Sequence, residues 1–475
     1  MDAKPPGMLS AYYLGAAAAA GAAVLGLEVL AARTMAPALG TGSIAWAALL
    51  AVALGSLAGG NLAGGVLADR GRPQAVVAWS LAIAGAGLVL MANIHPRVMC
   101  SAAGLSLFWG SLVAAAATQC LPMVMLGLVA PVLVKARGPA VPGRWAGAVL
   151  AAGSGGGIAG ALVAGLWLLP AAGLTRSYLA VAAALAFAAL PAAAAERRYV
   201  AAILAIAVLA AAAVCWRIAP GSSAVQSPYG QIEVREAGGG RVLLVDGLPQ
   251  TAVDGPPRPW ESLGRGYLLE AALLLRRPRS ALVVGLGGGL ATSVIESHGI
   301  PCESVEIDPK IVEVARSRFG FDGRVEVADG RRFLADARRK WDLVVVDVTT
   351  ADRLPVHLFT REAMELVRSR LSPDGVAAMQ FIGDDGRWSA CVLATAERVF
   401  ARAVILAPKT DPGPVGPRWL LAADRLADPP AGPDVPWRVV RPQREVTILT
   451  DDHFAAEPDW ARIAVRWRRS HALPD

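Results

Sequence analysis

Hydrophobic and polar positions fall into two regimes along this chain. From about residue 10 to residue 216, long apolar runs are interrupted only by short charged or proline-bearing stretches such as VLADRGRPQ (66–74) and LVKARGPAVPGRW (133–145). After Pro220 the apolar runs shorten to four or five residues and stop at an acid or a glycine, or they alternate with polar residues. A bilayer core about 30 Å thick needs roughly 20 apolar residues at a rise of about 1.5 Å each. Runs at 10–32, 43–68, 75–95, 104–134, 146–169, 177–195 and 199–216 reach or approach that length, which predicts about seven transmembrane segments. The first is no cleavable leader, because it lacks a basic flank and further spans follow it.

In the second regime, SPYGQIEVREAGGGRVLLVDGLPQTAVD (227–254) alternates apolar and polar residues around glycine turns and predicts a small antiparallel β unit. A helical stretch at about 262–275 comes next. Strands then alternate with helices: ALVVGLGGG (281–289), CESVEID (302–308), RVEVADG (324–330) and WDLVVVD (341–347) are strands, while ATSVIESHG and PKIVEVARSRF are helices. That order indicates a parallel, doubly wound sheet. The predicted fold class is a polytopic α-helical membrane domain (1–219) followed by an α/β part, with a small β unit (220–260) and a Rossmann-like, methyltransferase-type sheet with a C-terminal extension (261–475). The proline-rich stretch from about Pro408 to Pro442 reads as irregular loops between short strands.

Composition supports the division. Few charges precede residue 220, and almost all Asp and Glu follow it. The net charge of +7 does not indicate nucleic acid, because the arginines are scattered and form no basic stripe interleaved with aromatics. Five cysteines, Cys100, Cys120, Cys215, Cys302 and Cys391, have neither metal-ligand nor redox spacing. No metal is expected. His298, His357, His453 and His471 are isolated in the sequence and read as surface or core residues.

Loop charges give an orientation. With the N-terminus inside, Lys4, Arg70, Arg72, Lys135, Arg137, Arg144, Arg197 and Arg198 lie inside, against Arg33, Arg97, Arg176 and Arg217 outside. Seven full crossings would then put the α/β part outside. Segment 199–216 is at the short limit for crossing, and if it lies in the interface the α/β part returns to the cytoplasmic face. Glu28, within the first span, reads either as a site for a cation or as a structural pair with Arg33. The runs LGSLAGGNLAGG (54–65) and AGSGGGIAG (152–160) favour close helix packing.

Doubly wound sheets bind ligands beyond the carboxyl ends of their strands. Four such ends here carry a glycine loop, Glu306 with Asp308, Asp329 with Gly330, and Asp347. The glycines permit close backbone approach to a ligand, an acid after the second strand suits two ribose hydroxyls, and one after the third suits an adenine amino group. Phosphate would suffer from so many carboxylates, whereas a cationic adenosyl sulfonium would not.

At these residues the chain resembles a known family. SPYGQIEV, LLVDGLPQ, GLGGG, VEIDP, ADG and VVVDVTT resemble the polyamine aminopropyltransferases, the spermidine synthase family, over about residues 225–405. The first half resembles the multi-spanning segment fused to some bacterial spermidine synthase-like proteins, through Glu28, Arg33, LGSLAGG and the ADR turn at 68–70; the TDD at 450–452 adds to that likeness. The resemblance implies decarboxylated S-adenosylmethionine, or S-adenosylmethionine itself, held by Gly285, Gly287, Gly289, Glu306, Asp308, Asp329 and Gly330. It implies Gln250 and Asp254 on the aminopropyl or donor-amine side, with Tyr229 and Asp352 as further substrate residues, and Asp347 as the acid that takes a proton from the attacking amine. A small amine, a lipid bilayer and an inner-membrane, multi-pass location with a cytoplasmic catalytic domain follow from it, and a homodimer is open.

The departures from that family are specific. Leu290 and Ala291 follow the glycines where an acid is usual, Thr350 stands where a second acid is usual, Asp254 is followed by Gly255, and GRGYLLEA (264–271) replaces a Tyr-His-Glu run. Three readings therefore stand: an aminopropyltransferase with a changed acceptor, an S-adenosylmethionine methyltransferase or methylthioadenosine-releasing lyase, and a polyamine transporter or sensor.

Overall fold

The computed structural model describes residues 6–40, 42–136, 142–195, 199–219, 224–237, 240–253, 278–348, 356–409, 415–429, 435–442 and 446–452, with Ile463 and Arg466. The predicted helix at 262–275, the GRGYLLEA run, Asp254, Thr350, Asp352, His453 and His471 lie outside the described residues. The chain forms two compact units, Met1–Ser222 and Ser223–Asp475.

The first unit is helical: α1 (Pro6–Leu39), α2 (Ser43–Ala68), α3 (Pro73–Ala103), α4 (Leu107–Ala115), α5 (Leu121–Gly127), α6 (Val129–Lys135), α7 (Pro142–Leu162), α8 (Leu169–Ala195) and α9 (Tyr199–Ile218). A π-helical turn, Ala116–Cys120, joins α4 to α5, and another, Val163–Leu168, joins α7 to α8. Among the described residues, six continuous helical stretches are long and apolar enough to cross a membrane. One of them, Gly143–Ala195, has 53 residues and would be about 80 Å long if straight, far more than one crossing needs. Its helical geometry breaks at Gly173, where φ is 75°. The break separates the two apolar segments predicted at 146–169 and 177–195. Helix α9 has 20 residues, about 30 Å, and buries Ala201, Ala205, Val208 and Ala212 in the unit's core. That is a full crossing's length, so its shortness no longer argues for an interfacial position.

The glycine runs sit at helix crossings. A Cβ on Gly156 or Gly160 of α7 would run into the backbone of Ala18 or Ala22 of α1, and one on Gly60 or Gly64 of α2 would meet the Val124 or Leu128 backbone. Close packing of small residues is what these positions do. Glu28 is half-buried on α1, and among the described residues no ion pair joins it to Arg33. Five residues of helix turn the two side chains about 140° apart, so the expected structural pair does not form.

The second unit holds two sheets. The smaller is antiparallel, in the order β1 (Val225–Ser227), β2 (Gly230–Ala237), β3 (Gly240–Val245), β4 (Leu248–Val253). Its β3–β4 turn uses Asp246 at φ 49° and Gly247 at φ 77°, the paired positive φ values that a two-residue hairpin requires. The Asp246 carboxylate accepts from the Gln231 N–H at 2.8 Å and fixes the turn to β2.

The larger sheet is built from β5 (Ala281–Val284), α10 (Leu290–Ser297), β6 (Cys302–Glu306), α11 (Pro309–Phe319), β7 (Arg324–Val327), α12 (Gly330–Asp336), β8 (Trp341–Val346), α13 (Arg361–Ser369), β9 (Leu371–Gly383), α14 (Arg387–Val399), β10 (Arg402–Pro408), β11 (Gly416–Ala423) and β12 (Trp437–Val440). The strand order is β12-β10-β11-β9-β8-β5-β6-β7. Strands β7, β6, β5, β8 and β9 run parallel, and the other three pair antiparallel. The chain proceeds outward from β5 to β6 and β7 and then returns to place β8 on the other side of β5. The switch point lies between β5 and β8, where such a sheet opens a crevice. One face carries Val344, Val346, Met379 and Leu420 with α13 and α14; the other carries Leu343, Val345, Ala378, Trp419 and Leu421 with Ile295 of α10.

The proline-rich stretch contains two strands of the larger sheet, β11 and β12. Within it β11 is buried along all eight residues and lies between β9 and β10. Pro417 is the second residue of the strand, where a missing N–H costs little.

Candidate active site

The carboxyl ends of β5, β6 and β8 are tied together by main-chain bonds. Gly285 donates to the Val305 carbonyl at 2.8 Å, and Asp347 donates its N–H to the Val284 carbonyl at 2.8 Å. Gly285 has φ 95°, and a Cβ there would run into the carbonyl of Asp347. Both constraints demand glycine. Gly285→Ala should therefore lower stability by about 2–4 kcal/mol, from the left-handed backbone plus overpacking, and part the glycine loop from Asp347. Urea denaturation of the detergent-solubilised protein reads the first effect, and a wild-type midpoint would contradict it.

Glu306 organises the loop. Its Oε2 accepts from the Leu286 N–H and its Oε1 from the Asp308 N–H, each at 2.9 Å. A carboxylate has about four acceptor sites, so two remain for a ligand. Burial pushes the Glu306 carboxyl above the ordinary glutamate value, although the N–H bonds of Asp308 and Leu286 pull it the other way.

Asp308 is occupied differently. Its Oδ1 caps α11 by accepting from the Lys310 N–H at 2.9 Å, and its Oδ2 accepts from the Ser227 hydroxyl at the end of β1. This buried acid tethers the small sheet to the large one. The small sheet reaches the glycine loop through β4 as well, where Thr251 Oγ1 accepts from the Gly288 N–H at 2.9 Å. Gln250, beside it, is buried, whereas Tyr229 is exposed in the β1–β2 turn and donates its N–H to Ser227 Oγ at 3.1 Å.

Asp329 caps α12, its Oδ1 accepting from the Arg332 N–H at 2.8 Å. Its other oxygen lies 3.7 Å from His357 Nε2, so His357 is not the isolated residue that the sequence suggests. The closing TDD also reaches this corner. Arg331, two residues after Asp329, forks onto both oxygens of Asp451 at 2.9 and 2.5 Å and donates to the His357 carbonyl. The guanidinium holds the Asp451 carboxyl below the ordinary aspartate value, aided by the Thr360 hydroxyl. Gly330 is small for a reason: a Cβ there would strike the Val284 side chain of β5.

Asp347 is half-buried, one residue beyond β8. The register pairs Val346 with Met379, which places Gln380 of β9 beside Asp347. Gln380 is fully buried, and the sequence reading did not single it out. Its only local signal is an amide inside the apolar run VAAMQFIG. Glu306, the glycine loop and Asp347 thus share the switch-point crevice, with Asp329 at the edge formed by α12.

Similarity to known proteins falls in the second unit. Residues 268–386 match the model of the spermine/spermidine synthase domain. Polyamine aminopropyltransferase 2 of Pseudomonas aeruginosa is 33% identical over 179 residues, 34% of this chain and 50% of that protein. The human eEF1A lysine and N-terminal methyltransferase is 31% identical over 186 residues, 32% of this chain and 26% of that protein. The chain spans half or less of the length of these curated relatives. Among solved structures, a probable spermidine synthase from Corynebacterium glutamicum aligns with 16% identity and a TM-score of 0.41, over 46% of this chain and 91% of that one.

Proposed function

We propose that this chain, spermidine synthase-like in its α/β unit, is a membrane-embedded transferase that moves an aminopropyl group from decarboxylated S-adenosylmethionine to an amine. The observation that carries the reading is the convergence of Glu306, the glycine loop and Asp347 at one switch point. Glu306 takes the ribose hydroxyls on its two remaining acceptor sites, and Asp329 takes the adenine amino group. Asp308 supports from behind as cap and tether, and Gly330 lets α12 approach β5. Gln250, Tyr229, Asp254 and Asp352 serve the amine side.

An alkylamine has a pKa near 10.4 by analogy with Lys and arrives as an ammonium ion. Asp347 attracts it and takes one proton, leaving a nitrogen lone pair. That nitrogen attacks the aminopropyl carbon beside the sulfonium. The new C–N bond forms as the C–S bond breaks, and its electron pair returns to sulfur as neutral methylthioadenosine. Alignment of the three atoms supplies much of the acceleration.

The first unit supplies multi-pass anchoring in a bilayer, the inner membrane in a two-membrane cell, and the α/β unit faces the cytoplasm, where the adenosyl donor is made. With α9 counted as a crossing, this places the N-terminus on the opposite side from the one favoured by the loop charges.

One observation favours a second reading, a methyl transfer from S-adenosylmethionine: methyltransferases stand among the relatives at similar identity. Mass analysis of the products formed from each donor with 1,4-diaminobutane separates the two. Aminopropylated amine supports the first, and methylated product overturns it.

The raised Glu306 pKa has a signed consequence. Hydroxyl donors need the ionised carboxylate, so methylthioadenosine affinity should fall as pH drops through a value above the ordinary glutamate range. Glu306→Gln should flatten that dependence, read by titration calorimetry. For folding the sign is opposite: the native state holds this proton more tightly than the unfolded one, so this group's contribution to stability declines as pH rises between the ordinary and the raised value.

A further inference from the structure

Three adjacent strands present a row of polar side chains on one sheet face. Val345, Ala378 and Leu421 lie on the face of α10, and Val346, Met379 and Leu420 lie on the opposite one. Strand alternation then puts Asp347 and Gln380 on the α10 face. Trp419 of β11 belongs to the core of that face and pairs in register with Gln380. The row is therefore Asp347, Gln380, Trp419, across β8, β9 and β11.

Trp419 is 0% exposed, and its indole Nε1 has no hydrogen-bond partner among the described residues. Buried donors are nearly always satisfied, so an orphaned indole N–H in the row that ends at Asp347 needs an explanation. Neighbouring strands are about 4.8 Å apart, which puts Trp419 about 10 Å from Asp347 along the row. An amine whose nitrogen meets Asp347 and which carries about four carbons brings its far end within reach of that N–H.

We propose that the acceptor is an amine whose far end is a neutral oxygen, a hydroxyl or carbonyl, that accepts the hydrogen bond of Trp419. This rests on the transferase reading and adds the acceptor class to it. An ammonium at that end is excluded by chemistry: it has only donors, and so has the indole nitrogen. A carboxylate is disfavoured because the nearby cation, Arg418, precedes Trp419 on β11 and so projects from the opposite face, where it holds Asp385 at 3.2 Å. Trp419 is thus a specificity-determining residue.

The test measures kcat/KM for 4-aminobutan-1-ol and for 1,4-diaminobutane in the detergent-solubilised full chain, with decarboxylated S-adenosylmethionine, following methylthioadenosine. The wild type should prefer the amino alcohol at least tenfold, a ranking that needs no variant. Trp419→Phe keeps a six-membered aromatic ring and removes the N–H donor together with the indole's five-membered ring, and should bring the ratio to within about threefold of unity while methylthioadenosine affinity stays unchanged. A wild type that prefers the diamine, or a ratio unmoved in Trp419→Phe, overturns the acceptor class and leaves the transferase reading standing. Binding of methylthioadenosine with no turnover of either amine overturns both.

Discussion

Asp347→Asn is expected to lower methylthioadenosine formation about 10³-fold, equivalent to about 4 kcal/mol of transition-state stabilisation, with nucleoside affinity changed less than threefold. The split follows from position. Asp347 stands at the end of β8 across the switch point from Glu306, and its main chain, not its carboxylate, is bonded to β5. Asparagine keeps the shape and that N–H bond but cannot take a proton or attract an ammonium. Single-turnover assays and calorimetry on one preparation read both quantities. Loss of nucleoside binding in parallel with turnover would place Asp347 in the adenosyl site instead.

Glu306→Ala acts on the other half. In the proposed ribose role it would remove the acceptor of two hydroxyls, and charge-assisted bonds contribute about 1.5–3 kcal/mol each. It also releases the N–H groups of Leu286 and Asp308, which hold the glycine loop and the approach to α11. Methylthioadenosine affinity should drop about 10²- to 10³-fold, and Glu306→Gln, which keeps one acceptor oxygen, should fall between the variant and the wild type. Unchanged affinity in the alanine variant would remove Glu306 from the ligand.

How far the fold and these positions were readable in the sequence depends on how local their causes are. A parallel strand buried on both faces is a short apolar run, and the residue that ends it reports where the crevice opens; that made Glu306, Asp329 and Asp347 visible. Asp308 was visible too, but as a ligand. The following Pro309 was the better signal, since an acid before a proline at the first helical position is an N-cap, and the structure uses it that way. Contacts between distant segments were not readable. Ser227 meets Asp308 across 81 residues, Thr251 meets Gly288 across 37, and Arg331 meets Asp451 across 120. The Asp347–Gln380–Trp419 row likewise exists only once β9 and β11 are registered. In the helical unit the apolar segments and the glycine contacts were legible. The Glu28–Arg33 pairing, one of two readings of that acid, was not, because a spacing of five puts the two side chains on different faces of the helix.

In the proposed reaction, one crevice couples release of methylthioadenosine to capture by an amine. Rapid mixing of the purified full chain with decarboxylated S-adenosylmethionine, with and without a primary amine, measures that coupling in a single turnover. The account predicts methylthioadenosine in a one-to-one ratio with aminopropylated amine, and none above background when amine is omitted; methylthioadenosine released at the same rate without amine would contradict it.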